Sequence, residues 1–439
     1  LQFSSRKGYG WYVVFVLTAV YTLSFVDRQI LGLLVDPISN ELGISDTKFG
    51  LLAGFAFALF YTFLGLPMGR LADLYNRRTL IAVGILFWSA MTAACAAARN
   101  YTSLFLARIG VGVGEAALGP SAFSIIADYF PKERLGTALS VYSMGIFIGS
   151  GVALMLGGLV TEAVNQLPTL HVPLIGALTS WRFVFLSLGV PGILVAALVY
   201  TIAEPARKNV LLDQRGAEIT RPDVREVVRQ IGMRWSSMAG ISLGLAAQSM
   251  CNYAFIIWTP SFFMRAHGWS VGRTGMFLGA AILGIGCIGM YTGGRLCDLW
   301  QKRGIREAAL KVAVISGTGA VVFMGVALNL PSLTGAIILM VPGIFFLALA
   351  VGSGYASLQI IFPNQVRGQV SALLLFIINL LGMSMGPLLP GLFNDRLFHD
   401  PAMVGPSIAL TIIIGGCIEV FSMRLIYAPY RKHHKMMHG

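Results

Sequence analysis

Asp27 and Arg28 stand side by side in a stretch, about residues 11 to 35, that is otherwise apolar. At 1.5 Å per residue from Trp11, Asp27 lies about 24 Å along a helix, at membrane depth. A charge there costs about 2.5 to 3.5 kcal/mol, so the pair reads first as part of a polar pathway. A structural ion pair with Arg28 reaching toward the interface is the alternative. A second apolar stretch, 101 to 128, holds Arg108 and Glu115 seven residues apart, on nearly one helix face and about 10 Å from each other. Glu115 falls roughly 20 Å from Asp128 at that helix's end, a depth close to that of Asp27. Two acids and two arginines can thus share one layer. Burial disfavours a charged carboxyl and an adjacent arginine favours it, so an acid whose arginine partner withdraws takes up a proton. Asp27 and Glu115 are therefore the expected proton sites. Arg28 and Arg108 are the expected partners of an anionic headgroup, since the guanidinium fork suits phosphate. A packed, silent ion-pair network requires the same spacing.

The rest of the chain must place this layer in a bilayer. Of 439 residues, 56% are hydrophobic and 12% charged, with a mean hydropathy of +0.75, which leaves too little polar surface for a soluble globule of this size. Apolar runs near 11–35, 49–68, 78–98, 101–128, 136–160 and 182–202 form one set of six spans. A second set lies near 236–263, 273–294, 308–330, 333–361, 369–392 and 405–427. The fold class expected is an all-α membrane protein of twelve transmembrane helices in two pseudo-symmetric six-helix bundles. The domains are 1–202, a cytoplasmic linker 203–235, 236–430, and a basic tail 431–439. In the linker, Pro222 can open a short amphipathic helix with Val224, Val227, Val228 and Ile231 on one face, lying on the membrane surface or serving as a solvated linker. With the N-terminus cytoplasmic, most of the 32 Lys and Arg residues fall on cytoplasmic segments, so the net charge of +13 reads as positive-inside topology and not as nucleic-acid binding. Both termini are then cytoplasmic, in a plasma membrane such as the bacterial inner membrane. Five cysteines without metal or disulfide spacing read as small apolar packers. The His433-His434-Lys435 tail reads as a charged juxtamembrane segment in preference to a metal site.

The two sets of spans carry an internal repeat. GRLADLYNRR, Gly69 to Arg78, returns as GRLCDLWQKR, Gly294 to Arg303, aligning Asp73 with Asp298 and Arg77 with Lys302. Phe130-Pro131 before Gly136 returns as Phe362-Pro363 before Gly368. Two echoes in one order identify a duplicated six-helix unit.

These motifs resemble the major facilitator superfamily over essentially the whole chain: the G-x-L-x-D-x-x-x-[RK] loop, its copy, and Arg108-x-x-x-Gly112 in the fourth span. FVDRQ at 25 to 29 and RIGVGVGEAALGP at 108 to 120 look most like its spinster lipid-transporter branch. That resemblance implies alternating access with proton-linked movement of lysophospholipids or sphingosine phosphates. Sugar-acid and organic-anion proton symporters share the same Asp-Arg pair and fourth-helix Glu, and give the alternative substrate class. By the same resemblance, Gly69, Asp73, Arg77 and Asp128, with Gly294, Asp298 and Lys302, are gating residues. Asp73 and Asp298, expected one turn past their helices, would accept from helix starts near Gly368 and Gly136, and Arg77 would pair with Asp128.

The second set of spans offers only Gln248, Asn252 and Asn379 as central polar residues, with Glu419 directed either inward or to the cytoplasmic interface. With Tyr21 of the first span they line a cavity or hydrogen-bond neighbouring helices. One charged wall and one apolar wall suit an amphipathic lipid. Glycines at four-residue spacing (Gly110 and Gly114, Gly145 and Gly149, Gly382 and Gly386) read as helix contacts. No HExxH, GxSxG or phosphate loop appears, so an enzyme is not expected. No cofactor is expected beyond a proton gradient. The partners are the bilayer, the substrate and protons, and the carrier is a monomer.

Overall fold

The structure, a computed structural model, describes residues 8–166, 170–172, 176–206 and 224–438. Eleven of its helices are long and apolar enough to cross a membrane. They are α1 (Tyr9–Leu33), α2 (Asp46–Leu74), α3 (Arg77–Ala96), α4 (Tyr101–Tyr129), α5 (Thr137–Asn165), α6 (Ser180–Tyr200), α7 (Trp235–Ala266), α8 (Val271–Lys302), α9 (Ala308–Ala327), α11 (Val366–Phe398) and α12 (Pro401–Leu425). The twelfth, α10 (Leu333–Leu349), is a shorter apolar helix that Val351–Ile361 continues. This is the all-α, twelve-helix architecture expected. One antiparallel pair of short strands, Leu170–Val172 and Gly176–Leu178, lies between α5 and α6.

Polar caps set where several helices begin. Ser45, Asn76, Asn100, Ser270 and Ser332 each accept a hydrogen bond from a backbone N–H of the following first turn, opening α2, α3, α4, α8 and α10. Such a cap is worth about 1 kcal/mol. Five helices are locally rewound: α2 at Leu51–Phe55, α7 at Phe262–Ala266, α8 at Ile282–Gly286, and α11 at Ile378–Met383 and Asn394–Phe398 are π-helical, while α1 tightens to a 3-10 turn at Ile30–Leu33. Such turns frequently mark functional positions in membrane helices.

Two compact units divide the chain. The first holds Leu1–Lys208 with Pro260–Leu283, and the second Asn209–Thr259 with Gly284–Gly439. In the first, α3 packs on α4 and α6, α1 on α5, α2 on α4, and the first part of α8 on α5. Glycines permit the closest of these contacts. A Cβ on Gly112 of α4 would lie 2.7 Å from Phe57 O of α2, and one on Gly114 would lie 2.7 Å from Trp88 N of α3. In the second unit, α9 packs on α10 and α12, and the later part of α8 packs on α10.

Two local expectations need correction. α2 and α8 run through the repeated loop, so Asp73 and Asp298 lie within the last turns of their helices and not a turn beyond them; the polar residues continue the helix as it leaves the apolar run. The amphipathic helix is present at Val224–Met233, with Pro222 outside the described residues. It turns Val227 and Ile231 into the second unit's core, whereas Val228 is 62% exposed.

Candidate substrate and proton site

Tight contacts of α4 with α2 and α3 turn Arg108 and Glu115 inward, toward Asp27 and Arg28 on α1. All four residues are buried, and they meet within the first unit. They do not pair symmetrically. Arg28 Nη2 lies 2.6 Å from Glu115 Oε2, Arg28 Nε donates to the same oxygen at 2.7 Å, and Ser24 Oγ donates to it as well. Rings of Phe57 and Tyr61 stand 4.5 Å from the guanidinium carbon, and Phe25 stands 5.0 Å away. Arg28 therefore sits in an aromatic box, where each desolvated cation–π contact contributes roughly 1 to 2 kcal/mol.

Asp27 is placed differently. Its Oδ2 accepts from Thr92 Oγ1 at 3.3 Å, and its Oδ1 has no hydrogen-bond partner among the described residues. Arg108 reaches the backbone of Asp27, not its carboxyl: Nη1 donates to Asp27 O at 3.4 Å, and Nε is unpartnered among the described residues. Four charges expected to neutralise one another thus resolve into one closed ion pair, one acid beside a threonine, and one arginine held by a carbonyl. A buried carboxylate without a direct ion pair is costly. Tyr21, also expected in the site, stacks on Tyr142 of α5 with centroids 4.6 Å apart.

The repeated loops differ between halves. Arg77 is 1% exposed and pairs with Asp128, as expected. It also donates to Glu204 at 2.7 Å, to Ser124 Oγ at 2.7 Å and to Pro205 O at 2.9 Å. Glu204 in addition accepts from Arg78 N at 3.0 Å. Gly69 lies on α2 near Pro120, and Asp73 is exposed. In the copy, Asp298 and Lys302 are exposed and Gly294 is half-buried.

In the second unit, Asn252 Nδ2 donates to Gln248 O at 3.1 Å and to Leu347 O of α10 at 3.2 Å. Asn252 therefore ties α7 to α10. Gln248 is buried with Nε2 unpartnered among the described residues. Asn379 is half-buried in the π-helical turn of α11. Glu419 is 2% exposed and lies against Gly317 of α9, inside the bundle and not at an interface.

Three arrangements escaped sequence reading because their members are far apart in the chain. The aromatic box is one. Another is a clamp in which Arg265 donates from Nε to Asp36 at 2.7 Å and from Nη1 and Nη2 to Asp46 at 2.6 and 2.9 Å. The third is Glu41, which accepts from Thr179, Trp181 and Arg182. Burial raises the Glu41 carboxyl, but those bonds outweigh it and hold the group below its ordinary value. The clamp had one available signal, Arg265 beside an otherwise apolar span. No group of three or more metal-ligating side chains occurs among the described residues.

Residues 17–387 match the model of the Major Facilitator Superfamily. The chain belongs to that superfamily: it is a multi-pass membrane transporter and not an enzyme. It is 28% identical to an MFS-type efflux pump of Mycolicibacterium smegmatis, over 96% of this chain and 94% of that one. It is 24% identical to a probable L-galactonate transporter of Escherichia coli (90% and 84% covered), and 26% identical to the sphingosine-1-phosphate transporter SPNS2 of Danio rerio (87% and 75% covered). Among solved structures, a bacterial homolog of the human lysosomal transporter Spinster, inward-facing and unoccupied, matches with a TM-score of 0.81 at 26% identity, covering 98% of this chain and 99% of that one. The chain is spinster-like in sequence and in fold.

Proposed function

We propose that this carrier moves an anionic amphipathic lipid of the lysophospholipid or sphingosine-phosphate type, coupled to protons, with both termini in the cytoplasm of a bacterial cell. The observation that carries the reading is the unequal pairing of the buried layer. Glu115 is closed on Arg28, whereas Asp27, the residue before Arg28, has only Thr92 at its carboxyl among the described residues. In this arrangement Asp27 holds the proton. A phosphate headgroup arriving at Arg28 and Arg108 competes with Glu115 for the guanidinium, because both are oxyanions of suitable geometry. Glu115, displaced from Arg28, then takes up a proton, and Asp27 releases its own when Arg108 swings from the Asp27 carbonyl to the carboxyl. Substrate and proton exchange at the same arginines, which is the coupling.

A second reading, proton symport of a sugar acid, is supported by the similarity to the L-galactonate transporter. Reconstituted protein separates the two: radiolabelled lysophospholipid or sphingosine phosphate, against L-galactonate and a hexuronate, with and without a pH gradient. Gradient-dependent lipid flux is expected. Flux of the sugar acids without flux of lipid rejects the lipid reading, and lipid flux indifferent to the gradient rejects the coupling.

A further inference from the structure

A groove of about 630 Å³ runs between α9 and α12 on the outside of the second unit. Val321 and Val322 of α9, with Val420 and Phe421 of α12, wall it. At one end stands Arg424, in the last turn of α12; at the other stands Gly416, where a Cβ would meet Val321 Cγ2 at 2.4 Å, so the two helices touch and close the groove. From Arg424 to Gly416 is eight residues, about 12 Å along the helix. Half of a hydrocarbon core of about 30 Å is nearly the same length. The groove therefore spans one leaflet, from the interface to near the midplane.

Its charge selects the leaflet and the headgroup. Arg424 is exposed and makes no ion pair or side-chain hydrogen bond among the described residues. The next helix, Tyr427–His438, adds exposed Arg431, Lys432 and Lys435 at the same end. An unpaired guanidinium at the mouth of an apolar slot offers a phosphate two parallel hydrogen bonds, and the slot offers an acyl chain a concave wall where the rest of the helix face is convex.

We propose that this groove is a binding site for one anionic glycerophospholipid of the cytoplasmic leaflet, its phosphate on Arg424 and one chain between α9 and α12. The site lies within the second unit and uses none of the residues assigned to transport, so it stands or falls independently of the substrate reading.

Native mass spectrometry of the purified full chain, titrated with phosphatidylglycerol and separately with phosphatidylcholine, tests it. The wild type is expected to retain one phosphatidylglycerol at about fivefold lower concentration than phosphatidylcholine. Arg424→Ala should erase that preference, Arg424→Lys should keep part of it, and Val420→Trp, which fills the slot, should weaken retention of both lipids. Unchanged size-exclusion profiles show that the variants fold. Equal retention of the two lipids by the wild type overturns the proposal, as does full retention of phosphatidylglycerol by Arg424→Ala. A dimer that dissociates in Val420→Trp would assign the groove to a second copy of the chain and overturn it equally.

Discussion

The Arg28 guanidinium lies 2.6 Å from Glu115 Oε2, while Asp27, its neighbour in the chain, makes no ion pair among the described residues. Substitution should separate these two acids. Glu115→Gln strands a buried arginine and is expected to cost about 3 to 5 kcal/mol. Asp27→Asn removes a carboxyl that makes no direct ion pair among the described residues, and is expected to change stability by about 1 kcal/mol or less. Thermal unfolding in detergent reads the difference. Transport should invert the order of interest: Asp27→Asn, although stable, loses the dependence of flux on the pH gradient. A stable Asp27→Asn protein with wild-type gradient dependence would remove Asp27 from the proton route.

Arg77 and Lys302 occupy equivalent places in the two copies of the loop but not equivalent surroundings. Arg77 is enclosed by Asp128, Glu204, Ser124 and the Pro205 carbonyl, whereas Lys302 is exposed. Arg77→Ala is accordingly expected to cost about 3 kcal/mol or more, because two buried or half-buried carboxylates lose their cation. Lys302→Ala should stay within about 0.5 kcal/mol of wild type. Equal losses in denaturation would show that the copies carry equal structural weight and that the buried network is not the cause.

The duplicated loops also show how far the sequence carries. Motif spacing located the repeat, and the length of the apolar runs located twelve spans, because a bilayer demands long apolar helices whatever they pack against. The pairing of Arg77 with Asp128 came from the resemblance of the loop motif to the superfamily's. Glu204 was not readable, since nothing local distinguishes it from any acid that follows a helix. The same reason hid the Phe25, Phe57 and Tyr61 box around Arg28: an aromatic residue in an apolar span looks alike whether it meets lipid or a guanidinium. Tertiary packing alone decided that Glu115 and not Asp27 would hold Arg28.

Arg265 illustrates the point in a form that can be measured. It joins α7 to Asp36 of the short helix Val35–Leu42 and to Asp46 at the start of α2, with Asp36 27% exposed. Solvent reduces the loss, so Arg265→Ala is expected to cost about 2 kcal/mol. Amide exchange should rise several-fold in Val35–Leu42 and in the first turns of α2, and stay unchanged in α9 and α12. Arg265→Lys should fall between the two, because a single ammonium cannot serve both carboxylates with the planar fork of arginine. Unaltered exchange in Val35–Leu42 would show that other contacts hold this end together.

At the opposite end of the chain, His433, in the charged juxtamembrane tail, is 5% exposed, with Nδ1 2.8 Å from Ser237 Oγ. Burial, then the charges of Arg234 and Lys432, hold its imidazole below the ordinary value of 6.5. The sign of the pH effect follows. Above 6.5 the ring is neutral whether the helix Tyr427–His438 is docked or released, and docking is at full strength. As pH falls below 6.5 the released helix binds a proton that the docked one resists, so docking weakens until pH passes the lowered value of the docked state. Exchange at the amides of Tyr427–His438, corrected for the intrinsic pH dependence of the reaction, should therefore rise between pH 7.5 and pH 5.5. His433→Gln, which can still hydrogen-bond Ser237 but cannot titrate, should flatten that profile. A profile equally steep in His433→Gln would assign the pH dependence to another group.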